Sequence, residues 1–120
     1  MMARNVTRDA LLGERIRPAE GFLPRLKGLI GAEGLSPGEG LWISPCTGIH
    51  SFGMRFEFDA VFLSPDRRVV GLYERFRRNR ISGFYRYAAG VLELPGGVIE
   101  RTGTRLGDEV RVEGGPPSFG

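Results

Sequence analysis

The 120-residue sequence holds one cysteine, one histidine, one lysine and one tryptophan. Cys46 alone cannot close an internal disulfide, so the chain carries no mark of an oxidising compartment. One thiol and one imidazole fall short of the four Cys or His ligands of a structural zinc site. The lack of a second histidine also leaves a blue-copper ligand set incomplete, and no metal is expected. There is no long apolar run either. Arg4, Arg8 and Asp9 interrupt the start of the chain before any stretch long enough for a signal peptide, and nothing approaches the roughly 20 apolar residues of a membrane span. A cytoplasmic protein without a membrane segment is the expectation. No cofactor motif is present, so no cofactor is expected, and there is no internal repeat.

What the chain has in excess is glycine and proline. Gly 19 and Pro 8 are scattered between short apolar runs, which indicates many turns rather than low complexity. The length suits one domain with a modest core. Basic residues outnumber acidic ones 17 to 14, for a net charge of +3. The excess is concentrated: from Arg67 to Arg86 seven arginines face Glu74 alone.

Residues 10–17 read as a first edge strand. Apolar groups at 22, 26, 29 and 30 have helical spacing, with Pro24 in the first turn and Gly31 as the stop. Leu41 to Ser44 is a short strand. The strongest strand signal spans 52–63, where Phe56 and Phe58 alternate with Glu57 and Asp59 before an unbroken apolar run to Leu63. Residues 64–67 form a turn and 69–73 return as a hairpin partner. A further strand is expected over 87–94, a helical turn over 98–102 and a last strand over 109–113. The predicted fold is mainly β: a compact antiparallel sandwich or partly closed barrel of roughly five to seven short strands with one or two short helices.

Several segments carry a family likeness: 25–31 (RLKGLIG), 40–43 (GLWI), 46–55 (CTGIHSFGMR), 59–62 (DAVF), 91–97 (VLELPGG) and Gly107-Asp108. In this order they resemble domain of unknown function 192 (DUF192), a family of bacterial and archaeal proteins, over about residues 10–112. Residues 10–113 are accordingly read as a single DUF192-like domain and 114–120 as a disordered tail. The resemblance implies a compact β-rich sandwich and implies no known reaction. Many relatives are exported or lipid-anchored, and this chain departs from them in having no recognisable signal.

The one region that gathers a thiol, an imidazole, a thioether and a carboxylate runs from Cys46 through His50 and Met54 to Asp59. A Cys46–His50 pair would make a small enzyme if the imidazole took the thiol proton. In a straight strand the two Cα atoms would stand roughly 13 Å apart, so a fold-back at Gly48 would be needed. A histidine bonded to backbone within a turn is the simpler outcome. Asp59 sits where its strand turns wholly apolar, so burial with a partner such as Arg55 or Arg25 is expected. Glu93, between Leu92 and Leu94, invites the same reading. His50, Met54, Arg55, Asp59 and Glu93 are the candidate ligand-binding residues, with His50, Arg55 and either Asp59 or Glu93 expected around one shallow polar pocket.

The stretch from Arg75 to Arg86 mixes arginines with aromatics, as single-stranded nucleic-acid binders do. It lacks an RNA-recognition or zinc-knuckle motif, and a solvated loop whose aromatics pack on the sheet is preferred. The function expected is therefore a non-enzymatic module that binds a small molecule or a protein or peptide at a polar pocket in residues 46–59. The alternatives are a small enzyme using Cys46 and His50, and weak nucleic-acid association through Arg75–Arg86.

Overall fold

The computed structural model describes residues 1–19, 34–52 and 54–114. The helix expected over 22–31 and most of the tail lie outside these residues. The described residues form eight strands and one short helix: β1 (Met2–Asn5), β2 (Ala10–Gly13), β3 (Arg15–Ala19), β4 (Glu39–Ile43), β5 (Phe58–Leu63), β6 (Val69–Phe76), β7 (Gly90–Pro95), α1 (Val98–Thr102) and β8 (Val110–Glu113). They make a mainly β, sandwich-like fold of two sheets, ordered β2-β1-β8 and β3-β4-β7-β5-β6, and neither sheet closes into a barrel. All pairings are antiparallel except β3 with β4.

The larger sheet has apolar side chains on both faces, because β5 and β7 lie at its middle and are buried throughout. Strands buried on two sides read as apolar runs, and both do so here apart from one buried carboxylate each, Asp59 and Glu93. On one face Val61, Leu63, Leu92 and Leu94 meet Ala3, Leu12 and Val110 of the small sheet and Val98 and Ile99 of α1. On the other, Phe58, Ala60, Phe62 and Val91 join Leu41, Ile43, Ile49 and Phe76 under the connections that follow β4 and β6. A buried polar cluster ties the ends of the small sheet. Asn5 Nδ2 donates to Thr104 Oγ1 and Asp108 Oδ2, each at 3.0 Å, and Arg8 pairs with Asp108.

Three elements differ from the sequence reading. The strand expected over 10–17 is split at Glu14 into β2 and β3, which belong to different sheets. A Cβ at Gly13 would stand 2.9 Å from the Gly38 carbonyl oxygen, so the break rests on a backbone approach that glycine permits. The strand expected from residue 52 begins at Phe58. Residues 54–57 cross the face of the sheet, with Met54 and Phe56 packed down onto the second cluster. A strap of that kind alternates apolar and polar residues just as a strand does. β1, at residues 2–5, was not expected, since two of its four residues are exposed and it contains Arg4.

Candidate binding groove

Two irregular segments, 47–51 and 80–85, lie side by side over the second core cluster and form a ribbon. Ser51 N–H donates to the Arg80 carbonyl and Ser82 N–H to the Ile49 carbonyl, both at 2.9 Å, and Tyr85 N–H donates to the Thr47 carbonyl at 2.8 Å. His50 and Ile81 form an antiparallel bridge. The Ser51 side chain is fully buried and acts as a clamp: its hydroxyl donates to the Arg77 carbonyl at 2.5 Å and accepts from Arg80 N–H at 2.9 Å. Below, the Tyr73 and Tyr85 hydroxyls share a 2.8 Å hydrogen bond, and Tyr73 accepts from Gly83 N–H at 2.7 Å. The arginine-rich segment is thus anchored by backbone bonds and by aromatics that pack on the sheet, with Tyr85 against Phe62.

The ribbon bounds a groove of about 360 Å³, and the ribbon's segments are in close contact at Gly48, where a Cβ would stand 3.4 Å from the Gly83 carbonyl oxygen. The walls of the groove are Ile49, His50, Phe52, Ile81 and Phe84. Phe52, Ile81 and Phe84 are 45%, 72% and 75% exposed, a clustering of large apolar groups in water that isolated surface residues do not produce. A larger hollow of about 660 Å³ beside α1, bounded by Leu72 and Ile99, contains none of the residues singled out from the sequence.

The structure disperses the candidate residues. His50 lines the groove, stacked on Phe52 with ring centroids 5.1 Å apart. Its Nδ1 accepts from Phe52 N–H at 3.2 Å, which leaves the ring proton on Nε2. Cys46 is half-buried, and its thiol donates to the Gly48 carbonyl at 3.1 Å. No hydrogen bond joins Cys46 to His50 among the described residues. Burial and the nearby Glu93 carboxylate push the thiol pKa up, the opposite of what a reactive thiolate needs. Met54 fills the second core cluster, and Arg55 is exposed.

Asp59 and Glu93 are both buried, but on opposite faces of the large sheet. Asp59 lies on the α1 side and accepts three backbone N–H bonds, from Arg75 at 2.8 Å, Gly97 at 3.1 Å and Ile99 at 2.8 Å. Its partners are backbone amides rather than the Arg55 guanidinium. Glu93 is registered between Leu41 and Ala60, and its Oε1 has no partner among the described residues. Burial pushes its pKa up to about 8. Among the described residues no hollow joins His50 with Arg55 and Asp59 or Glu93: of these the groove holds His50 alone, and its walls are mostly apolar. Among the described residues no three His, Cys, Asp or Glu side chains converge as metal ligands. The half of the groove contributed by Ile81 and Phe84 was missed because the arginines around them dominate the sequence pattern.

The family model of DUF192, described as Uncharacterized ACR, matches residues 5–112. The chain belongs to DUF192. No curated protein matches it. Two crystal structures resemble this DUF192 protein in fold. A protein of unknown function from Novosphingobium aromaticivorans is 21% identical with a TM-score of 0.75, over 92% of this chain and 82% of that one. One titled a putative transcription regulator from Sinorhizobium meliloti is 22% identical with a TM-score of 0.67, over 80% and 79%. In this DUF192 protein no described helix is long and apolar enough to cross a membrane.

Proposed function

We propose that this DUF192 protein is a non-enzymatic binding module, and that a small molecule or peptide seats in the groove between residues 47–52 and 81–84. The observation that carries the reading is the gathering of Phe52, Ile81 and Phe84 in water on a ribbon held by its own backbone hydrogen bonds. Exposed apolar side chains on an ordered support are what a ligand that buries them requires. Neither the thiol nor the imidazole is activated by the other, which favours binding over nucleophilic catalysis. A cytoplasmic location accords with the single free thiol. Amide-resolved NMR against a fragment and short-peptide library tests the reading. Shifts are expected to concentrate at Gly48, His50, Ile81 and Gly83 and to vanish in Phe84→Ser. Hits that map only to the hollow beside α1 would refute it.

A further inference from the structure

We infer that the groove takes an acidic peptide segment that inserts one large apolar side chain. This rests on the reading of the groove as a binding site and goes beyond it in naming the ligand.

Charge supplies the first argument. The backbone of Arg77 and of Arg80 is held at one end of the ribbon by Ser51, Arg78 lies between them in sequence, and Arg86 follows Tyr85 at the other end. All four are exposed, and none forms an ion pair among the described residues, whereas Arg8, Arg68 and Arg111 each have an acidic partner. Between Glu74 and the buried Glu93 the sequence has no acidic residue to offset them. Arg86 stacks on Tyr87 with its guanidinium carbon 5.2 Å from the ring centre, leaving its planar edge available to a carboxylate. An apolar groove whose two segments run on into exposed arginines at either end complements an apolar anchor with carboxylates on either side.

The polar groups of the groove decide between a peptide and a nucleic acid. The Ser82 hydroxyl accepts from Ile49 N–H and donates to the Gly83 carbonyl. Gly83 N–H is taken by Tyr73 and the Gly48 carbonyl by Cys46. Among the lining side chains a nucleobase stacked here would find only the His50 ring and the Thr47 hydroxyl uncommitted, too few partners for its edge groups, which disfavours it. A phenylalanine or leucine side chain asks for no such partners. At about 360 Å³ the groove lies at the small end of ligand sites, which run from about 300 to 1,000 Å³, and that suits a single anchor.

Fluorescence polarisation with four labelled probes tests this. They are an eight-residue peptide with a central phenylalanine flanked by glutamates, the same peptide with glutamines, the acidic peptide with alanine at the centre, and an oligothymidine of equal charge. The acidic phenylalanine peptide is expected to bind best and to weaken with salt. Replacing Arg77, Arg78 and Arg80 by serine should cost it about tenfold in affinity, the size of several exposed ion pairs lost together. The same triple variant should leave the glutamine peptide unaffected. Arg86→Ser, at the far end, should give a smaller loss in the same direction, so the result does not depend on one variant's folding. Equal binding of the acidic and glutamine peptides would overturn the inference while leaving the groove as a binding site. Oligothymidine binding more tightly than the acidic peptide at about 150 mM salt, where charges beyond about 8 Å are screened, would overturn it in favour of nucleic acid. No binding by any probe would overturn the inference along with the groove reading on which it rests.

Discussion

At the scale of single residues, Asp59 and Glu93 carry the same functional group in one sheet and meet opposite conditions. Asp59 has three backbone donors, so both of its oxygens are hydrogen-bonded within the protein. Truncation by Asp59→Ala strands those donors and should cost at least about 3 kcal/mol, at about 1–3 kcal/mol for each orphaned group. Asp59→Asn keeps one acceptor and should cost less, and urea denaturation measures both. Glu93 has no such donors, and burial lifts its pKa from 4.5 to about 8. Between those values the folded protein keeps a proton that the unfolded chain has released. The stabilising contribution is therefore complete below pH 4.5 and is lost as pH rises through about 8. Each pH unit in the window removes about 1.4 kcal/mol at most. Glu93→Gln should flatten that slope, nearly matching the parent at pH 5 and exceeding its stability at pH 8.5. Parallel pH slopes for the two proteins would contradict this account.

At the scale of elements, the groove depends on a ribbon whose two segments are joined by backbone hydrogen bonds and clamped at one end by a buried hydroxyl. Ser51→Ala leaves the Arg77 carbonyl and Arg80 N–H without their side-chain partner, a loss of about 1–3 kcal/mol. Amide exchange should speed up over residues 79–85 while β5 and β7 keep their protection, because the central strands do not use this bond. Elements rich in apolar residues or marked by turn signals were legible in the sequence: β5 from Phe58, β7, and α1 after the Pro95-Gly-Gly97 turn all fall close to where the sequence reading places them. The ribbon was not. It has no periodicity, and it joins residues about thirty positions apart through contacts such as Ser51 with Arg80. Of the candidate groove, the sequence singles out His50, whereas Phe84 reads as an aromatic packing on the sheet and Ile81 is not singled out. The separation of Asp59 from Glu93 was not legible, since it depends on the pairing of Asp59 with Leu94 and of Ala60 with Glu93 across β5 and β7. Register of that kind sets which face a side chain takes.

At the scale of the whole molecule, one central sheet serves two unlike surfaces. One face is closed by the small sheet and α1, and the other by the connections that build the groove. Both faces depend on the apolar runs of β5 and β7, so damage there reaches the groove as well as the hidden core. The small sheet has a further consequence, in time rather than in space. Its middle strand is residues 2–5, and one of its two partners is residues 110–113. Pairing across so long a stretch of chain raises contact order and makes the search for it slow. During synthesis the first strand must wait for nearly the whole chain, with the apolar side chains of β5 and β7 uncovered on that face. The interval before Asn5 meets Asp108 is when the uncovered face of β5 and β7 is open to aggregation.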